Sequence, residues 1–199
     1  MPTREKLRRP LGERRYRKMF IISAEGTKTE PQYFGIFNTR STVVNVRCLK
    51  SSGDNSPPAV LKRMKEYISR QSLEKSDEAW VVVDKDNWTE HQLSQLHEWS
   101  THAENHGFAL SNPKFEYWLL LHFEDGTGVE SGRHCSERLS RHYPDYDKSI
   151  ASEKFTPDMI QEAVVRAKKR DNPPCADWPR QIGSTTVYKL VECILRSQA

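Results

Sequence analysis

Asp84 and Asp86 stand two residues apart, directly after the apolar run 79–83. Residues i and i+2 of an extended segment point the same way, so both carboxylates are expected to face one point. Hard oxygen ligands at that spacing suit Mg²⁺ or Mn²⁺. The plainer reading is a pair of turn aspartates, one of them capping the next helix. Glu25-Gly26-Thr27-Lys28-Thr29-Glu30 follows a second apolar run, 19–24. Gly26 lets the backbone turn sharply beside a ligand, and Lys28 is a candidate phosphate contact. Glu30 belongs either to a site or to the first turn of a helix, where acids are favoured anyway. The third constellation is Asn112-Pro113-Lys114-Phe115-Glu116. Glu116 is flanked by Leu119 and Leu120, and a carboxylate buried there needs a metal or cationic partner. Otherwise it is a partly exposed acid at a helix start. His122 shares a stripe with Phe115, Trp118 and Leu119 and reads as a satisfied core histidine. His102 and His106 are four apart but lack a third ligand, so a solvated helix face is the better reading. His134, Cys135 and His142 show no zinc-finger spacing.

Positioning those residues requires strands that end at them. The run 19–24 is too short for a helix and suits a strand buried on both faces. Residues 43–49, 79–83 and 108–110 are expected to be further strands. Helices are expected after each: from Thr29, where Thr29-Glu-Pro-Gln32 has capping-box spacing; through Val60, Met64 and Ile68; from the second capping box, Thr89-Glu-His-Gln92, to about Asn105, ended by Gly107; and over 114–123, with Asn112 as N-cap and Pro113 at the first helical position. Four strands each followed by a helix predict an α/β domain with a mostly parallel sheet flanked by helices. Residues 124–155 are turn-rich, with one short helix expected near 135–142. A helix from Thr156-Pro157 and a final one capped by Ser184 complete a helical C-terminal part, about 124–199. Open parallel sheets bind ligands beyond the carboxyl ends of their strands, which is where Glu25, Asp84, Asp86 and Glu116 fall.

The 199 residues carry a net charge of +4, unevenly spread. Residues 1–18 hold eight of the 31 basic side chains and two of the 27 acidic ones, so this stretch carries +6 and the rest −2. A basic arm of this kind, including Arg14, Arg15, Arg17 and Lys18, is expected to be flexible and to lie along nucleic-acid phosphates, releasing counterions; the plainer reading is a solubilising, disordered leader. The remaining residues, 19–199, are expected to form one domain. No apolar run approaches the roughly 18 residues of a membrane span, and 1–18 contains no apolar stretch of a secretory signal. Cys48, Cys135, Cys175 and Cys193 include no CxxC pair, which makes a reducing cytoplasm the expected location.

In order along the chain, Glu25-Gly26-x-x-Thr29-Glu30-Pro31-x-Tyr33-Phe34, Val83-Asp84-Lys85-Asp86, and Ser111-Asn112-Pro113-x-Phe115-Glu116-x-Trp118-Leu119-Leu120-Leu121-His122-Phe123 resemble the RloB family. Ser184-Thr185-Thr186-Val187-Tyr188-Lys189-Leu190-Val191 resembles its C-terminal helix. That resemblance implies a Toprim-like fold and a bacterial or phage-encoded protein linked to restriction or phage-resistance loci, often beside an OLD-like or ABC-like ATPase. It also implies that Glu25, Asp84 and Asp86 bind Mg²⁺ and carry phosphodiester chemistry; Glu30, Asn112 and Glu116 are expected, from their positions, to support that site. The leading expectation is therefore a metal-dependent nuclease acting on DNA or RNA. The alternative is a non-catalytic nucleic-acid-binding or ATPase-partner subunit. A phosphohydrolase with Asp84 as nucleophile is discounted, because that chemistry expects the paired aspartates on the first strand.

Overall fold

The computed structural model describes residues 17–39, 42–51, 53–85 and 88–198. Arg14, Arg15 and Asp86 lie outside them. Four parallel strands, β1 (Lys18–Ala24), β2 (Val44–Cys48), β3 (Glu78–Asp84) and β4 (His106–Asn112), form a sheet with β5 (Ser184–Thr185) antiparallel at one edge. The strand order is β2-β1-β3-β4-β5. β1 and β3 are continuous apolar runs because both of their faces are covered. The edge strand β2 alternates, with Val44 and Val46 buried and Asn45 and Arg47 exposed. At that edge the Asn38 side chain engages the middle residue of β2 from outside. Its Oδ1 accepts from the Val46 N–H at 2.8 Å and its Nδ2 donates to the Val46 carbonyl at 2.7 Å.

Alternate residues of the strands feed two cores. Ile21, Val81, Val83 and Leu110 meet α2 (Pro57–Arg70) and α3 (Glu90–Thr101). Phe20, Ile22, Val82 and Ala109 face the thicker layer, built from α1 (Thr29–Gly35), α4 (Phe115–Leu120), α5 (Gly132–His142), α6 (Pro157–Arg170) and α7 (Val187–Arg196). The α/β architecture with a mostly parallel sheet and added C-terminal helices is thus present. Among the described residues no helix is long and apolar enough to cross a membrane.

Four local expectations are corrected. The box at Thr89–Gln92 forms in full, whereas the one at Thr29–Gln32 does not. α1 begins at Thr29 itself, whose hydroxyl donates to the Lys148 carbonyl at 3.0 Å, while Gln32 Oε1 accepts from the Ile150 N–H at 2.7 Å. Both side chains are drawn to a distant loop. α3 stops at Thr101, and Gly107 is a residue of β4. Its missing side chain makes room for Trp80, whose ring would lie 2.3 Å from a Cβ there. Asn112 is no N-cap and Pro113 is not the first helical residue, because β4 runs through Asn112 and α4 begins only at Phe115, after Lys114. Ser184 pairs in β5, leaving Thr186 at the start of α7.

Candidate functional site

Glu25 is the first residue past β1, yet its N–H still donates to the Val82 carbonyl of β3 at 2.9 Å. This keeps its side chain over the strand ends. Glu25 Oε2 accepts from the Asp84 N–H at 3.2 Å and from Trp88 Nε1–H at 3.3 Å. The carboxylate is therefore tied across to the end of β3, where Asp84 is the last strand residue. Next to Glu25, the Gly26 N–H donates to Glu30 Oε1 at 3.1 Å. A Cβ on residue 26 would fall 1.8 Å from Glu30 Oε2, so only glycine lets that carboxyl rest against the backbone.

Glu30, in the first turn of α1, is 5% exposed, and Glu116, in the first turn of α4, is 8% exposed. Glu116 Oε1 accepts from the Tyr146 hydroxyl at 3.1 Å, and its Oε2 lies 4.0 Å from Lys114 Nζ. Burial pushes the Glu30 carboxyl up to about 7, and the charge on Glu116 adds to the effect. Two nearly buried carboxyl groups thus line the same cleft, and the charge on Glu116 makes Glu30 harder to ionise.

These groups line a cleft of about 290 Å³ that contains Glu25, Glu30, Asp84 and Glu116, with Lys28 and Lys148 as its cations. The far wall is the loop after α5. Thr29 Oγ1 is 3.1 Å from the Tyr146 hydroxyl, and Lys28 Nζ lies 3.7 Å from the Asp147 carboxylate. Lys148 holds a left-handed backbone, φ 71°, at the cleft. Sequence reasoning missed Asn55, Tyr146 and Lys148. They belong to turn-rich segments with no periodicity, and only the tertiary fold brings them to the strand ends.

Other candidates are placed elsewhere. Asn112 does not line the cleft: its Nδ2 donates to the Arg180 carbonyl at 2.8 Å and holds the 171–183 loop to the end of β4. Lys18 opens β1, at the other end of the strand from Glu25 and about 20 Å away at the usual rise per residue. It is ion-paired with Glu78 at 2.7 Å. Arg17 precedes it and is exposed. His102 is exposed, and His106 stacks on Trp99 with ring centroids 4.3 Å apart.

The cleft's donors are carboxylate and amide oxygens, with no imidazole or thiolate among the lining residues. That chemistry fits Mg²⁺ or Mn²⁺ and disfavours softer ions. Among the described residues no three His, Cys, Asp or Glu side chains form a metal-holding group. The third donor expected beside Glu25 and Asp84 is Asp86, which lies outside them.

Neither a curated protein nor a solved structure matches the chain. A family model described as RloB-like protein matches residues 20–194, from within β1 to near the end of α7, and so takes in every element that lines the cleft. The chain belongs to the RloB-like family.

Proposed function

We propose that the protein is a divalent-metal-dependent nuclease that hydrolyses phosphodiester bonds in DNA or RNA. The observation that carries this reading is the convergence of Glu25, Asp84, Glu30 and Glu116 on one cleft at the carboxyl ends of β1, β3 and β4. Glu25, Asp84 and Asp86 are the residues that would hold Mg²⁺ or Mn²⁺. Such an ion, when bound, lowers the pKa of water and neutralises charge on phosphoryl oxygens. The chain's own groups supply the rest. Lys28 and Lys148 bring positive charge to a phosphate at the rim. The Trp88 and Asp84 N–H groups orient the Glu25 carboxylate. Glu30, half-protonated near neutral pH, is the group suited to pass a proton to a leaving oxygen. Membership of the RloB-like family supports a role in a restriction-linked or phage-resistance system, with an OLD-like or ABC-like ATPase as partner.

The test is a thermal-shift titration with Mg²⁺ and Mn²⁺, run beside cleavage of labelled oligonucleotides. Millimolar metal is expected to raise the wild-type melting temperature, since an ion that binds only the native state stabilises it. Asp84→Asn is expected to abolish both that rise and cleavage, with metal-free stability equal or higher. Glu25→Gln keeps an oxygen for the Asp84 and Trp88 N–H groups, so it is expected to keep the fold and lose activity. Equal metal responses in wild type and Asp84→Asn would overturn the reading. Binding without cleavage by the wild type would favour the non-catalytic subunit.

A further inference from the structure

A second concave surface adjoins the cleft. Between the edge strand β2 and α2 runs a groove of about 590 Å³. Its lining includes five cations, Arg47, Lys50, Lys62, Arg63 and Arg70, against two carboxylates, Asp54 and Glu66. The body of the chain is slightly acidic outside the first 18 residues, so this concentration of positive charge is local. Glu66 does little to cancel it. Lys62 and Arg70 each stand 4.0 Å from its oxygens, and ion pairs this long and exposed are weak.

Arg63 joins the groove to the cleft. Its guanidinium donates to the Ala24 carbonyl at 2.6 Å, to Ser23 Oγ at 3.0 Å and to Asn55 Oδ1 at 3.3 Å. Ala24 directly precedes Glu25, and Asn55 lines the cleft. Arg63, a groove residue, thus bonds both to the residue before Glu25 and to a residue of the cleft. With Arg63 held in place, Arg47, Lys50, Lys62 and Arg70 remain exposed along it. Its lining also includes Leu49 and Tyr67, and the Arg47 guanidinium lies over the Tyr67 ring, 5.5 Å from its centroid. Cations beside an aromatic face, in a groove bounded by one strand and one helix, match what a single strand requires: charge along the backbone and a surface on which a base stacks.

We propose that this groove binds single-stranded nucleic acid and leads its backbone to the carboxylate cleft. Where the strand is delivered rests on the nuclease reading, whereas the groove's affinity for it does not. The test uses the full chain carrying Asp84→Asn, without metal, and measures fluorescence anisotropy with labelled single strands of about 12 nucleotides, DNA and RNA, and with a duplex of equal length. Arg47→Glu with Arg70→Glu is expected to weaken single-strand binding about tenfold or more and to lower the salt slope by about 0.7 for each phosphate no longer neutralised. Tyr67→Ala is expected to weaken it at least about fivefold by removing the stacking surface. Arg141→Glu with Lys169→Glu changes net charge equally on the other layer and is expected to leave affinity within about twofold. Thermal unfolding of each variant verifies the fold. Equal losses from both charge-reversed pairs, no loss from the groove pair, or duplex binding that is tighter and indifferent to the groove would each overturn the proposal. Failure of the nuclease reading looks different: with Asp84 restored and Mg²⁺ or Mn²⁺ added, groove-dependent binding persists and nothing is cut.

Discussion

α1 and the α4 segment each place one residue in two neighbouring polar clusters, and the clusters behave oppositely. Tyr33 and His122 form the first. The Tyr33 hydroxyl lies 3.0 Å from His122 Nε2, and His122 Nδ1 lies 3.0 Å from the Trp118 carbonyl. A proton on Nδ1 satisfies that carbonyl and leaves Nε2 to accept from Tyr33, so a neutral imidazole completes the set. Phe34, Phe37, Phe115, Trp118 and Phe155 meet the Tyr33 ring edge-on or tilted. Burial lowers the His122 pKa to about 3 and raises that of Tyr33, so neither carries charge at neutral pH. Glu30 and Glu116, one turn before Tyr33 and two before His122, form the second cluster. There the same two elements bring two carboxyl groups together, and burial, with the Glu116 charge adding to it, raises the Glu30 pKa. A buried polar pair that the chain itself balances is structural. A buried pair that it leaves electrostatically costly is where a ligand gains binding energy.

The largest expected effect lies in the balanced cluster. Tyr33→Ala removes a fully buried ring and is expected to cost about 3–5 kcal/mol in thermal or urea unfolding. A loss below about 1 kcal/mol would show that the aromatic set is not what holds α1 to α4. Next comes Glu30→Gln. The folded Glu30 carboxyl titrates near 7 against an ordinary 4.5, so between those values the folded chain keeps a proton that the unfolded chain releases. Stability from this group is therefore present below about pH 4.5 and lost as pH rises through 7. In metal-free buffer Glu30→Gln is expected to match wild type near pH 4.5 and to exceed it at pH 8 by about 3 kcal/mol. A constant difference across that window would remove the contrast between the clusters. His122 works in the opposite sense. Unfolded, it takes up a proton below about 6.5 that the folded site refuses until about 3, so its effect on stability grows as pH falls. The smallest change is Tyr33→Phe, which leaves His122 Nε2 without its hydroxyl and is expected to cost about 1–2 kcal/mol.

Much of this was legible in the sequence for a physical reason. Strands buried on both faces have to be apolar runs, and the groups just beyond them have to sit at the sheet's carboxyl edge. Glu25 directly follows β1, Asp84 ends β3, and Glu116 stands in the first turn of the buried α4. Less legible was anything settled by contacts across long stretches of chain. Thr29 and Gln32 have capping-box spacing, yet the 146–150 loop offers them better partners. Gly107 stands where a helix stop is expected, but its lack of a side chain serves the Trp80 ring of β3, beside β4. The basic N-terminal residues are legible because they cluster within 18 positions. Arg47, Lys50, Lys62 and Arg70 are dispersed between a strand segment and a helix, and the packing of α2 against the sheet beside β2 brings them to one groove.

The Asn38 side chain bears on assembly. A sheet edge with open peptide groups invites another chain to continue the sheet, and many proteins blunt such edges with charge, proline or a bulge. Here one neutral amide mimics a peptide unit and occupies the outward N–H and C=O at the centre of a five-residue strand. An incoming strand would have to displace Asn38 before its own ladder began. Growth by strand addition is thereby obstructed on the β2 side without any charge being committed there, and the positive side chains nearby stay available for solution partners.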